Sequence, residues 1–300
     1  MTREFRGPSI EVNDFSKSFG NTHAVDSLSF QAYPGEIFGF LGRNGAGKTT
    51  TIRTLLRIYE PDQGTLLVRG HPFSESRAQE VGYLPEERGL YTRANIWDTI
   101  LYMGRLRSVP LKILHSRAQE LLQRFELWDL RTKKIQNLSS GMQQKVQIIA
   151  TLLHEPPVLI LDEPFRGLDP VNRQLVFEIL QEKKTQGTCI LFSSHQILEI
   201  EDLCDRVILI SRGKSQAYGT LEEVKSHYET SIISLIYSGN LPAMPDGCEV
   251  HDQGNRVEIS YPDPSSPQEI LRRLVDTGVR IHKFEIKHPS LQSIFLDLCS

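Results

Sequence analysis

Residues 42–50, GRNGAGKTT, place three glycines, a lysine and two threonine hydroxyls in one short segment. They fit the pattern G-x-x-x-x-G-K-[S/T], between an apolar run at 36–41 and a helical pattern over 49–59. In such a loop the glycines expose backbone N–H groups to an anion, and the N-terminus of the following helix adds partial positive charge. The segment therefore predicts binding of a nucleoside triphosphate.

Individual roles follow from that chemistry. Lys48 is predicted to contact the β- and γ-phosphate oxygens, so it is a catalytic candidate as well as a binding one. Thr49 is predicted to coordinate Mg²⁺ through its hydroxyl. The candidate nucleotide contacts of this segment are Gly42, Asn44, Gly45, Ala46, Gly47, Lys48, Thr49 and Thr50.

Two carboxylates end a buried apolar run further along the chain, in VLILDEP at 158–164. Ligands of open α/β sheets bind at the carboxyl ends of the strands, where this run would end. We predict that Asp162 holds the metal and that Glu163 takes a proton from the attacking water. The alternative is that both carboxylates merely cap a strand.

A histidine follows another apolar strand, ILFSS at 190–194. His195 would emerge at the same edge of the sheet, near the γ-phosphate, and we assign it a catalytic role. A single histidine in this position is more often structural, so the assignment depends on the motifs around it.

The elements that position these residues indicate an α/β fold. Apolar strand runs rich in Ile, Leu and Val alternate with helical patterns, which predicts a parallel sheet covered by helices. Residues of about 93–155 read as a helical subdomain within an ATP-binding domain that spans 1–229. From 230 to 300, short strands and Pro/Gly turns predict a separate small α+β domain.

Two details of the second domain are predicted from periodicity. Its helix near 267–278 should carry an apolar stripe of Ile270, Leu271, Leu274 and Val275. The alternation in VRIHKFEIK at 279–287 slips, which predicts a β-bulge near His282.

The segment LSSGMQQ at 138–144 precedes another helical pattern, which either Ser139 or Ser140 could cap. Alone, it would be an ordinary cap or loop. Between the phosphate loop and LILDEP, it resembles the signature motif of ATP-binding cassette (ABC) ATPases. The resemblance covers about residues 9–225, with the motifs in family order.

The resemblance implies further site residues. Phe19 in SKSFGN would stack on adenine, Ser139 and Gly141 would contact ATP bound to a partner copy, and Glu86 in GYLPEERG stands where the family usually has a metal-contacting glutamine. Phe19 replaces a common tyrosine, and LSSGM replaces LSGGQ. Glu86 adds a negative charge near Mg²⁺, and a plain surface glutamate is its alternative reading.

The form of GYLPEERGLY and the tail HPSLQSIFLDL are similar to the ATPase subunits of sodium- and drug-efflux exporters. The resemblance thus implies ATP and Mg²⁺ as ligands and a head-to-tail dimer with a second copy or a homologous ATPase subunit. It also implies an integral membrane permease, of the ABC-2 type, as the partner that is energised for export.

Composition agrees with a peripheral subunit. The 300-residue chain has a net charge of −3, which gives no reason to expect nucleic acid as a partner. Its first residues lack the apolar run of a signal peptide, and apolar residues never run unbroken for about 18 positions. We expect a cytoplasmic protein on the inner face of the membrane. The alternative is a soluble ABC ATPase that acts on ribosomes or other macromolecular complexes.

Overall fold

The structure is a computed structural model that describes residues 7–87, 89–227, 231–252, 254, 256–261, 266–287 and 290–299. The chain divides into two compact units, Met1–Thr220 and Leu221–Ser300. The second unit therefore begins about ten residues before the change of sequence pattern near residue 230.

The first unit contains an antiparallel and a mainly parallel sheet. Its strands are β1 Ile10–Phe19, β2 Thr22–Ala32, β3 Ile37–Leu41, β4 Gln63–Val68, β5 Val81–Leu84, β6 Val158–Asp162, β7 Cys189–Ser194, β8 Arg206–Ser211 and β9 Lys214–Thr220. The six-stranded sheet has the order β5-β6-β7-β3-β8-β9, in which β9 alone pairs antiparallel. The order β2-β1-β4 forms the antiparallel sheet. The predicted α/β class is confirmed.

The helices of the first unit include those that the sequence patterns predict, together with α6, which was not predicted. They are α1 Lys48–Leu55, α2 Ile96–Leu106, α3 Leu111–Arg124, α4 Ser140–Leu152, α5 Pro170–Thr185 and α6 Ile197–Leu203. Side-chain oxygens cap three of them: Asn95 accepts from the Asp98 N–H, Ser139 from Met142, and Asp169 from Asn172. Each cap satisfies a backbone donor that the helix itself leaves unpaired. Of the two candidate caps of α4, the structure selects Ser139.

The core of the first unit lies between its two sheets. Phe30 of the antiparallel sheet stacks on Phe38 of the parallel sheet, with ring centroids 5.1 Å apart. Phe38 and Phe40 are fully buried. Burying each such ring stabilises the fold by about 1.5–3 kcal/mol, so this packing fixes the strands that end at the phosphate loop.

The second unit is an antiparallel sheet with helices. Its elements are α7 Leu221–His227, β10 Ser231–Ser238, β11 Glu249–Asp252, β12 Arg256–Tyr261, α8 Ser266–Asp276, β13 Arg280–Lys287 and α9 Leu291–Cys299. The strand order is β11-β12-β10-β13. Ile236 pairs with Lys283 and the next residue, Tyr237, pairs with Ile281. His282 is the extra residue, so the predicted bulge is confirmed.

The predicted stripe of α8 is half wrong. Ile270 and Leu274 are fully buried, but Leu271 is 37% and Val275 61% exposed. Pro267 is buried in their place. The helix presents only a narrow i, i+4 row to the sheet, so apolar residues one position further round face solvent. In the described part of the chain, none of the helices combines the length and hydropathy needed to cross a bilayer.

Candidate functional site

Strand register brings the predicted catalytic residues to one edge of the parallel sheet. At the carboxyl ends of β3, β6 and β7, Leu41 pairs with Ser194, and Asp162 pairs with Ser193. The phosphate loop, Glu163 and His195 continue from these ends. Residues far apart in sequence therefore lie close together, because the neighbouring parallel strands end at the same level of the sheet.

The phosphate loop needs glycine at both of its defining positions. Gly47 has φ 109°, and a Cβ there would lie 2.7 Å from the Ala24 carbonyl oxygen. A Cβ on Gly42 would lie 2.6 Å from the Ile210 carbonyl oxygen. Any larger residue at either position would force the neighbouring backbone to move. The loop can therefore approach these two carbonyl groups only because both positions lack a side chain.

Another glycine, Gly213 in the turn between β8 and β9, supports the same loop. Its N–H donates to the Ala46 carbonyl (3.0 Å), and its carbonyl accepts from the Asp26 N–H (2.9 Å). It has φ 78°, and a Cβ there would lie 2.8 Å from the Ala24 carbonyl oxygen. Sequence analysis missed Gly213, because the sequence marks it only as a turn glycine.

The phosphate loop lines a cavity of about 350 Å³. The lining residues are Ala24, Asn44, Gly45, Ala46, Gly47, Lys48, Thr49, Thr50, Glu86 and Asp162. Most of the predicted phosphate and metal residues are thus brought together around one volume. Gly42 contributes through its carbonyl oxygen, which accepts from Lys48 Nζ at 2.5 Å.

Lys48 is a buried cation at this cavity. Its Nζ also donates to the Arg43 carbonyl at 3.3 Å. Burial lowers the pKa of Lys48, while the negative charges of Glu163, Asp162 and Glu86 oppose that shift. A desolvated ammonium group surrounded by carboxylates is suited to contact phosphate oxygens.

Asp162 and Thr49 form the oxygen-rich side of the cavity. Thr49 Oγ1 donates to Asp162 Oδ2 at 3.1 Å, and Ser193 Oγ donates to Asp162 Oδ1. Burial raises the pKa of Asp162, and the hydrogen bonds from Ser193 and Thr49 oppose that rise. A carboxylate beside a hydroxyl is the donor set that Mg²⁺ prefers. Ser193 was not predicted, although its position on the strand beside β6 could have indicated it.

Glu163 and His195 contact each other directly. His195 Nδ1 lies 2.7 Å from Glu163 Oε1, and the tautomer with its proton on Nδ1 donates this hydrogen bond. Glu163 is buried and has φ 52°, in the left-handed region that few residues other than glycine adopt. Its N–H donates to the Ser193 carbonyl at 3.2 Å. Several contacts thus hold one carboxylate beside the metal candidate Asp162.

Glu86 lines the cavity but has a partner of its own. Arg166 Nη1 donates to Glu86 Oε1 at 2.9 Å. Sequence analysis did not single out Arg166, and no local pattern marks it, because the two residues are eighty positions apart.

The remaining predicted contacts lie away from this cavity. Phe19, at the end of β1, is exposed and packs edge-on against Tyr59, with centroids 5.2 Å apart. Ser139 and Gly141 lie at the N-terminus of α4, where a Cβ on Gly141 would be 2.9 Å from the Gly167 carbonyl oxygen. Neither is among the described residues that line the phosphate cavity.

Comparison with known proteins gives a consistent picture. The ABC transporter family matches residues 25–166, and the C-terminal domain of DrrA1-3-like ATP-binding proteins matches residues 219–299. An uncharacterized ABC transporter ATP-binding protein of Bacillus subtilis is 35% identical over 96% of this chain and 97% of that protein. The daunorubicin/doxorubicin resistance ATP-binding protein of Streptomyces peucetius is 31% identical over 96% of this chain and 92% of that protein.

A solved ATP-binding subunit of an ABC transporter aligns with a TM-score of 0.70 and 30% identity. The alignment covers 73% of this chain and 92% of that chain. Fold, sequence and the geometry of the phosphate loop therefore agree: the chain belongs to the ATP-binding proteins of ABC transporters, a family of ATPases.

Proposed function

We propose that the chain hydrolyses ATP with Mg²⁺ at the cavity formed by the phosphate loop, and so energises export through a separate membrane permease. The observation that carries this proposal is the convergence of Lys48, Thr49 and Asp162 on one cavity, with the Glu163–His195 pair at the same sheet edge.

Each side chain has a defined part in the proposed reaction. Lys48 binds the β- and γ-phosphate oxygens, and the backbone N–H groups of residues 44–50 surround them. Glu163 accepts the proton of the attacking water, while His195 orients its carboxylate and contacts the γ-phosphate in the proposed complex. Phe19 stacks on adenine.

The proposed metal ligands are Thr49 and Asp162, with Glu86 as a further oxygen donor. Their chemistry fits Mg²⁺, which takes one or two protein oxygens and completes its coordination with phosphate and water. When bound, Mg²⁺ supplies positive charge that stabilises the transferred phosphoryl group. Asp162 is already oriented for this by Ser193 and Thr49.

The active unit that we propose is a head-to-tail dimer with a second copy or a homologous subunit. Ser139 and Gly141 lie at the capped N-terminus of α4, outside their own phosphate cavity. In the dimer they would contact ATP held by the partner, where a helix N-terminus favours negative charge.

A second cavity supports docking of a permease. It has a volume of about 310 Å³, lies between the segment after β5 and helices α2 and α4, and has Leu84, Leu90, Met103 and Leu106 among its lining residues. The exposed rings of Tyr91 and Tyr102 pack 5.6 Å apart. Exposed aromatic and apolar side chains are frequent at protein interfaces. We propose that an ABC-2-type permease docks here.

The test is to solubilise membranes of the native cells gently, purify the tagged chain and identify stoichiometric partners by mass spectrometry. Recovery of a polytopic membrane protein is the expected result. The Tyr91→Ser variant tests the docking surface, and it should lose that partner while keeping ATP binding. Recovery of ribosomal or other soluble components would contradict the permease proposal and support the alternative.

A further inference from the structure

The phosphate cavity contains a carboxylate whose charge opposes the proposed substrate. Glu86 is a lining residue together with Asp162, and its side chain is 43% exposed. Asp162 is already oriented by Ser193 and Thr49, whereas Glu86 has neither contact. ATP carries several negative charges on its phosphates, so an uncompensated carboxylate on the wall would repel them.

Arg166 compensates that charge. Its guanidinium lies 2.9 Å from Glu86, and its backbone N–H donates to the Glu163 carbonyl at 3.2 Å. The arginine therefore joins the turn that carries Glu163 to the segment that carries Glu86. Its side chain is 66% exposed, so the pair adds little to folding stability. Its effect should appear in the electrostatics of the cavity.

We propose that Arg166 is a positioning residue for ATP binding: its guanidinium holds and neutralises the Glu86 carboxylate, which otherwise repels the phosphates of ATP in the same cavity. The inference rests on the proposed nucleotide site. It assigns Arg166 no contact with ATP, which makes it distinguishable from an ordinary phosphate-binding arginine.

The charge effect is clearest with Mg²⁺ chelated, because a divalent cation would itself compensate Glu86. ATP and ADP affinities are measured by calorimetry in EDTA for the full chain and for Arg166→Gln, Glu86→Gln and the double variant. Arg166→Gln should weaken ATP binding about three- to tenfold, as expected for one unpaired carboxylate at a partly exposed and therefore partly screened site. The loss should be smaller for ADP and smaller again when Mg²⁺ is restored.

The double variant distinguishes an arginine that acts through Glu86 from an arginine that contacts the phosphates directly. If Arg166 acts through Glu86, Glu86→Gln should tighten ATP binding about threefold, and the double variant should bind within about twofold of wild type. Glu87→Gln is the matched control, because Glu87 is the adjacent, largely exposed carboxylate paired loosely with Arg53 at 4.0 Å. It should leave ATP affinity unchanged.

Two results would overturn the inference. One is an unchanged ATP affinity in Arg166→Gln, and the other is a loss that persists in the double variant. Thermal melting of each variant shows that it is folded. If the wild-type chain binds no ATP, the proposed function itself fails, and that outcome is seen before any variant is compared.

Discussion

The two compact units differ in whether they bury charged side chains. In the first unit, Lys48 and Asp162 are buried at the phosphate cavity, and Glu163 is buried next to Asp162 in the chain. In the described part of the second unit, the buried polar residues are Ser234 and Ser266, and its charges form surface pairs such as Lys287–Glu258 at 2.7 Å. Burying a charge costs folding free energy, whereas a surface pair costs little and contributes little. The comparison indicates that the first unit sacrifices stability for chemistry.

The largest expected effect tests the buried carboxylate that is proposed as the base. Glu163→Gln should slow ATP hydrolysis by about 10²- to 10⁴-fold, because the amide cannot accept the proton, while ATP binding persists. Phosphate release under single-turnover conditions measures this. Glu36 is a partly buried carboxylate immediately before β3, and Glu36→Gln is the control that should keep wild-type turnover. Full activity in Glu163→Gln would remove Glu163 from the mechanism.

Next in size is the buried cation. Lys48→Ala should weaken ATP binding by about 10- to 100-fold, because charge-assisted hydrogen bonds to the phosphates are lost. Calorimetry measures the affinity. Lys145 provides a matched comparison: it is equally buried, but its Nζ donates to the Phe125 carbonyl at 2.9 Å, away from the cavity. Lys145→Met should reduce stability and spare ATP affinity. Equal losses of affinity in both variants would contradict a specific role for Lys48.

A smaller effect concerns stability. Asp162→Asn should stabilise the unliganded chain by about 1 kcal/mol at neutral pH, because it removes a buried negative charge. Burial raises the pKa of Asp162, so its ionised form penalises folding above that pKa, and the penalty disappears as the pH falls through it. Urea unfolding at a series of pH values from 7 down toward the ordinary pKa of an aspartate should therefore show that the stability advantage of Asn shrinks as the pH falls. If the stability advantage of Asp162→Asn grew as the pH fell, the assigned direction of the pKa shift of Asp162 would be wrong.

The smallest effect is expected in the second unit. Lys287→Gln should reduce stability by no more than about 1 kcal/mol, since the pair is partly exposed and screened by solvent. The hydrogen bond from Lys287 is the main cause of the lowered pKa of Glu258, so the contribution is present above the ordinary pKa of a glutamate and is lost as the pH falls. Salt should erase it. A loss of several kcal/mol would break the contrast between the units.

The sequence located the candidate site residues better than it described the elements around them. The positions of the phosphate loop, of the two carboxylates at the end of β6 and of His195 could be predicted because each stands at the end of an apolar strand with a recognisable pattern. The antiparallel sheet of β1, β2 and β4 was not predicted, although it supplies Ala24 to the cavity.

Contacts between segments that are distant in the chain could not be predicted from local sequence patterns. Ser193 reaches Asp162 through strand register, and Arg166 meets Glu86 through the path of two loops. Periodicity also overestimated the buried face of α8, because Leu271 and Val275 are apolar yet exposed. How wide a helix face is buried depends on the sheet it packs against, which the helix sequence does not encode.

The position of Gly213 has a consequence for genetics. This glycine belongs to none of the motifs, yet its hydrogen bond to Ala46 and its close approach to Ala24 support the phosphate loop from behind. In a library of random alleles scored for ATP binding, substitutions at Gly213 should be depleted as strongly as those at Gly47. A motif search would rank Gly213 as neutral and Gly47 as essential. Variant interpretation based on motifs alone would therefore misclassify substitutions at Gly213.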